Sequence, residues 1–131
     1  MKITLTGIPV PDQAQALAFY TEKLGFVKKE DVPMGEHRWL TVISPEGVEG
    51  VELLLEPLGF EPAKEYYNAL YEAGIPVAQF ESDDLDMEVE KLKEHGVVFR
   101  GEPQEMGDVK FTIFEDTCGN LICLTQKVNG K

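Results

Sequence analysis

Nowhere in the 131 residues do about 18 apolar side chains run together, so no segment has the length and polarity of a membrane-crossing helix. Basic residues are scarce. Twelve Lys and Arg stand against 24 Asp and Glu, and the formal charge of -12 would repel a phosphate backbone or an anionic lipid surface. Neither nucleic acid nor a membrane is therefore expected as a partner. Cysteine is limited to Cys118 and Cys123, set across a turn-like Cys118-Gly119-Asn120. Two thiols make no zinc site, and in a reducing compartment they are expected to be free. The opening Met1-Lys2-Ile3-Thr4-Leu5-Thr6 lacks the apolar core of a signal peptide, and the expected location is cytoplasmic.

What the sequence does contain is an internal repeat. The hydrophobic content of 43% suits one core, so 1–131 is expected to be one domain, and within it two stretches match. Val10-Pro11-Asp12 leads through a helical pattern to Leu24-Gly25-Phe26-Val27. Ser82-Asp83-Asp84 leads through another to His95-Gly96-Val97-Val98-Phe99. Asp12 and Asp84 read as helix N-caps, whose carboxylates accept the orphan amide protons of the first turn. Ala16, Leu17, Tyr20 and Leu24 in one copy, and Leu85, Val89 and Leu92 in the other, recur at helical spacing. Gly25 and Gly96 suit the left-handed residue that ends a helix.

After each helix come three short β-like runs: 26–32, 38–43 and 51–56 in the first copy, then 97–100, 109–114 and 121–126 in the second. Pro62, the Tyr66, Tyr67 and Tyr71 cluster and Gly74 mark a further helix joining the copies. The expected organisation is module 1 over about 1–57, a linking helix over about 61–73 and module 2 over about 75–127. The fold class is α+β, with two βαβββ modules.

The stretches Ile8-Pro9-Val10-Pro11-Asp12 … Phe19-Tyr20 … Leu24-Gly25-Phe26 and Phe114-Glu115-Asp116-Thr117-Cys118-Gly119-Asn120-Leu121 resemble the two signatures of the vicinal oxygen chelate superfamily of glyoxalase, bleomycin-resistance and dioxygenase proteins. The likeness covers essentially the whole chain. It implies curved mixed sheets with helices on the convex face, a ligand on the concave face, and a homodimer. Metal-dependent members carry a His or Glu at corresponding points of the first and third strand of each module. Those points fall here on Leu5, Glu52, Val77 and Cys123. Leu and Val offer no lone pairs, and one thiol with one carboxylate is a poor set for a hard cation. The expectation is accordingly no metal and no cofactor.

Strand alternation sorts the faces. Val51, Leu53 and Leu55 should meet helices, leaving Glu52, Leu54 and Glu56 on the ligand side. Leu40 and Val42 suit the helix-covered side, leaving His37, Trp39 and Thr41 opposite. Cys123 shares a face with Leu121 and Thr125. The expected ligand-binding set is Leu5, His37, Trp39, Glu52, Leu54, Val77, Leu121 and Cys123, a lining suited to a small, partly apolar molecule. Each member also has a plainer explanation: Glu52 as a solvated carboxylate, His37 as a surface residue, Trp39 as core, Cys123 as a small buried hydrophobe. Three functions remain open. One is a metal-independent small-molecule binder; the second is a metal-dependent lyase, isomerase or dioxygenase with ligands relocated to His37, Glu52 and Glu56; the third is a dimeric interaction module without ligand.

Overall fold

The computed structural model describes residues 1–128. The chain divides into two compact units, Met1–Tyr67 and a second from Asn68 onward. In the first, strand β1 (Leu5–Val10) leads to helix α1 (Gln13–Ala18), then β2 (Val27–Met34), β3 (His37–Ile43) and β4 (Glu52–Pro57). These strands form one sheet in the order β1-β4-β3-β2, with β1 parallel to β4 and the other pairs antiparallel. Asp12 caps α1 by accepting the Gln15 N–H at 3.0 Å. The helix lies over Ile8, Val10, Leu40, Val42 and Leu55, which are buried together with Ala16, Phe19 and Tyr20. At about 25 cal/mol per Å² this apolar face is what holds the helix to the sheet.

The register of β3 and β4 is short, joining Thr41 to Leu54 and Val42 to Leu53. Beyond it Gln13 reaches in from α1. Its Nε2 donates to the Arg38 and Leu55 carbonyls at 2.7 and 2.9 Å, and its Oε1 accepts the Arg38 N–H at 3.0 Å. One helical amide thus satisfies backbone groups of both strands, as buried backbone requires.

The second unit repeats the plan. Strand β5 (Ala78–Glu81) precedes helix α3 (Leu85–Glu94), followed by β6 (Gln104–Met106), β7 (Val109–Glu115) and β8 (Leu121–Lys127) in the order β5-β8-β7-β6. Asp84 caps α3 through the Met87 N–H, and Leu85, Val89 and Leu92 are buried with Phe114, Ile122 and Leu124. Helix α2 (Glu61–Glu72) carries the chain from one unit into the other. In the second unit Tyr71 of α2 donates its hydroxyl to Glu115 at 2.8 Å, and Arg100 grips the other Glu115 oxygen at 2.7 Å. This pairing holds the Glu115 carboxyl below its ordinary range, the Arg100 hydrogen bond being the largest cause.

The turn before β8 is built on a buried carboxylate. Asp116 Oδ1 accepts the Cys118 and Asn120 N–H groups at 2.7 and 3.1 Å, and Oδ2 accepts Asn120 Nδ2 at 3.0 Å. Thr117 and Gly119 both take positive φ there, 64° and 85°. Only glycine does so without steric cost, so the Asp116 network holds Thr117 in place.

Two expectations need correction. The first helix is α-helical only to Ala18. Residues Phe19–Lys23 form a π-turn in which the Leu24 N–H reaches the Phe19 carbonyl, and the Thr21 hydroxyl bonds back to the Leu17 carbonyl, a competition that loosens helices. The strand expected over 97–100 contributes only an isolated bridge between Phe99 and Phe114; the short edge strand comes later, at Gln104–Met106, after Gly101 at φ +148° and Pro103 have redirected the chain.

Candidate functional site

In the first unit the sheet face away from α1 collects most of the singled-out residues. Leu5 and Glu52 are register partners on β1 and β4, as Gly7 and Leu54 are. Thr41 lies opposite Leu54, and Trp39 lies opposite Val32 of β2. Residues directly opposite share a face, so Leu5, Gly7, Val32, Trp39, Thr41, Glu52 and Leu54 line one surface. Glu56 belongs to it too, since a side chain on Gly7 would begin 3.3 Å from Glu56 Oε2 and 3.6 Å from Leu54 Cβ. His37 lies at the hairpin end of β3, opposite Met34 and exposed.

This face is apolar and yet open. Leu5, Val32 and Trp39 keep 41%, 47% and 37% of their surface exposed, whereas Thr41 is wholly buried. The Thr41 hydroxyl accepts the Glu30 N–H at 3.1 Å and donates to Glu52 Oε1 at 2.7 Å. The Glu30 amide needs that acceptor because the β2 register shifts between Lys28 and Glu30. Lys28 and Arg38 both turn to Asp31, the register partner of Leu40 on the helix-covered side. Arg38 binds Asp31 through Nε and Nη2 and is the main cause of an Asp31 carboxyl lowered to about 2. Among the described residues no Lys, Arg or His lies within ion-pair distance of Glu52.

In the second unit Leu121, Cys123 and Thr125 share the face away from α3, where Cys123 lies opposite Ile113. Leu121 is 1% exposed, so its side chain on that face is covered and offers no free surface to a ligand. Val77 stands one residue before β5 and donates its N–H to the Leu121 carbonyl, while the register partner of Cys123 is Gln79. Both cysteines are free, and burial pushes the Cys123 thiol up from its ordinary range. A thiol kept protonated is a weak nucleophile and a poor metal ligand.

The donors present do not fit the metal centre that the four corresponding positions would build. Leu5 is hydrocarbon, the register puts Gln79, a neutral amide, beside Cys123 where Val77 was expected, burial pushes the Cys123 thiol up, and Glu52 already accepts from Thr41. Among the described residues no three His, Cys, Asp or Glu are gathered so that they could hold a metal ion. Sequence reasoning left Thr41, Gly7, Glu56 and Val32 out of the binding set. Alternation alone had already put Thr41 and Glu56 on this side; Val32 needed the β2 register, which the bulge hides.

Two four-stranded sheets with repeated topology and helices on one face define the architecture, and comparison with known proteins gives the family. The family model "Glyoxalase/Bleomycin resistance protein/Dioxygenase superfamily" matches residues 2–124. The chain belongs to that superfamily. It is 54% identical over 127 residues to YurT of Bacillus subtilis (strain 168), covering 97% of this chain and 100% of that protein. Among solved structures it is similar to UcmS2, with a TM-score of 0.82 and 33% identity over 95% of this chain and 97% of that one. It is also similar to TnmS3, an antibiotic-binding protein from Streptomyces sp. CB03234, with a TM-score of 0.74 and 27% identity over 97% of this chain and 96% of that one.

Proposed function

We propose that this protein binds a small, partly apolar molecule on the open face of its first sheet, without the metal centre of its catalytic relatives. The observation that carries this reading is the face itself. Half-exposed Leu5 stands beside the Glu52 carboxylate at a position where a metal site would need lone pairs, and half-exposed Val32 and Trp39 extend the same face. Apolar walls with a few convergent polar groups are the usual composition of a small-molecule site. The likeness to TnmS3, described as antibiotic-binding, points the same way. Because one fold hosts many chemistries, the face and not the fold supports the reading.

Trp39 is the single tryptophan, so its fluorescence reports on this face. Titration with a panel of planar polycyclic aromatic compounds should give a saturable change for some members and a matching rise in melting temperature. No saturable response and no melting shift across neutral, cationic and anionic members would overturn the proposal. A relocated metal centre would need His37, Glu52 and Glu56 in one coordination sphere. About one transition metal per chain in protein purified without chelators, lost on Glu52→Gln, would establish that alternative instead.

The reading includes a homodimer in the cytoplasm. Its support is α2, in which no residue is buried and Tyr66, edge-on to Tyr67 at 5.2 Å, is 60% exposed. Tyrosine left bare on a helix is characteristic of interfaces.

A further inference from the structure

The open face carries Glu56 and one further carboxylate, Glu52, which a buried hydroxyl holds in a fixed place. Glu52 stands beside half-exposed Leu5 on the neighbouring strand, with Oε1 accepting from Thr41 at 2.7 Å. Thr41 is fully buried, and its oxygen already accepts the Glu30 N–H, so its single proton is committed to Glu52. This pins the carboxylate on the apolar surface and leaves Oε2 with no donor among the described residues. The nearby cations Lys28 and Arg38 are paired with Asp31 on the helix-covered side. Glu30, Glu56 and a chain charge of -12 make the surroundings unfavourable to any anion.

From this we infer that Glu52 is the specificity-determining residue of the proposed site, that Thr41 positions it, and that the ligand is an amphipathic amine. The ammonium donates to Glu52 while the apolar body covers Leu5, Leu54 and Trp39. An anionic aromatic compound would be rejected by the same carboxylate, and a neutral one would gain only the apolar contact. Charge-assisted hydrogen bonds at partly desolvated sites are strong enough to set a preference of about tenfold. This inference rests on the ligand-binding reading above, and the test is chosen to separate the two.

The probes are 9-(aminomethyl)anthracene, protonated at pH 7, and its near-isostere 9-(hydroxymethyl)anthracene, both followed by energy transfer from Trp39. The intact chain should bind the amine about tenfold more tightly than the alcohol, and the ratio should shrink as salt is added. Glu52→Gln should bring the ratio close to one by weakening the amine alone. Thr41→Val should reduce the ratio several-fold, and Thr41→Ser, which restores a hydroxyl, should recover it. A purely structural role for Thr41 would weaken both probes together and leave the ratio unmoved. Equal binding of the two probes, or an amine preference that survives Glu52→Gln, would overturn this inference while leaving a binding face in place. Binding of neither probe would overturn this inference, while the binding reading stands or falls on the panel titration described above.

Discussion

Replacing Asp116 by alanine takes the acceptor away from three donors at once. The Cys118 and Asn120 N–H groups and Asn120 Nδ2 all point at its carboxylate, Asp116 is wholly buried, and Asn120 is 2% exposed. Each orphaned buried donor costs about 1–3 kcal/mol. Relief from burying a charged group offsets part of the sum, so a net loss of about 3 kcal/mol is expected. Thr117 adds to it, because its positive φ is no longer held by the turn. For a chain of this length each kcal/mol lowers the melting temperature by roughly 3–4 °C. Calorimetry at pH 7 should therefore find Asp116→Ala melting about 10 °C below the parent. Asp116→Asn, which keeps one oxygen and the shape, should lose clearly less. An Asp116→Ala protein melting within about 2 °C of the parent would refute the account of this hairpin, by showing that other groups meet those donors at little cost.

The Asp31 carboxyl, lowered from 3.8 to about 2 chiefly by Arg38, contributes stability that is present above pH 3.8 and lost as pH falls through about 2. The stability gap between the parent and Asp31→Asn, measured by urea unfolding, should accordingly close across that window. The Cys123 thiol, pushed up by burial, should react with iodoacetamide at pH 7.5 more slowly than a small free thiol, as followed by mass spectrometry. Light scattering at micromolar concentration should give the mass of two chains, and Tyr66→Glu should shift it toward one if α2 forms the contact. A parent mass equal to one chain would refute the dimer.

Much of the architecture was legible because its signals are local. A capping aspartate, a helical stripe and a left-handed glycine lie within about 15 residues, and all three recur in the second copy with the same consequence. Alternation sorted β3 and β4 correctly, as the Thr41 to Glu52 bond and the buried Leu40, Val42 and Leu55 attest. What was not legible depends on pairing between distant segments. No pattern within 97–100 tells that Phe99 will form one bridge only, and none within β5 tells that Gln79 and not Val77 will stand beside Cys123. Gln13 looks like an ordinary surface residue of a helix until the gap between β3 and β4 is known.

Thr41 shows how such a distant pairing turns a structural residue into a candidate functional one. Its hydroxyl has a structural reason to exist, because the β2 bulge strands the Glu30 N–H, which Thr41 Oγ1 accepts at 3.1 Å. That reason consumes only a lone pair of the oxygen. The proton is left over, and at this place in the sheet the group within reach is Glu52, the one family metal position in this chain that kept a carboxylate. Deleting the hydroxyl by Thr41→Val therefore has two separable effects: an orphaned Glu30 amide, read as stability, and an unpinned Glu52, read as ligand selectivity. The first would occur in a protein with no ligand at all. The second would occur only if the open face is used, so the two measurements on a single variant distinguish a sheet repair from a binding site.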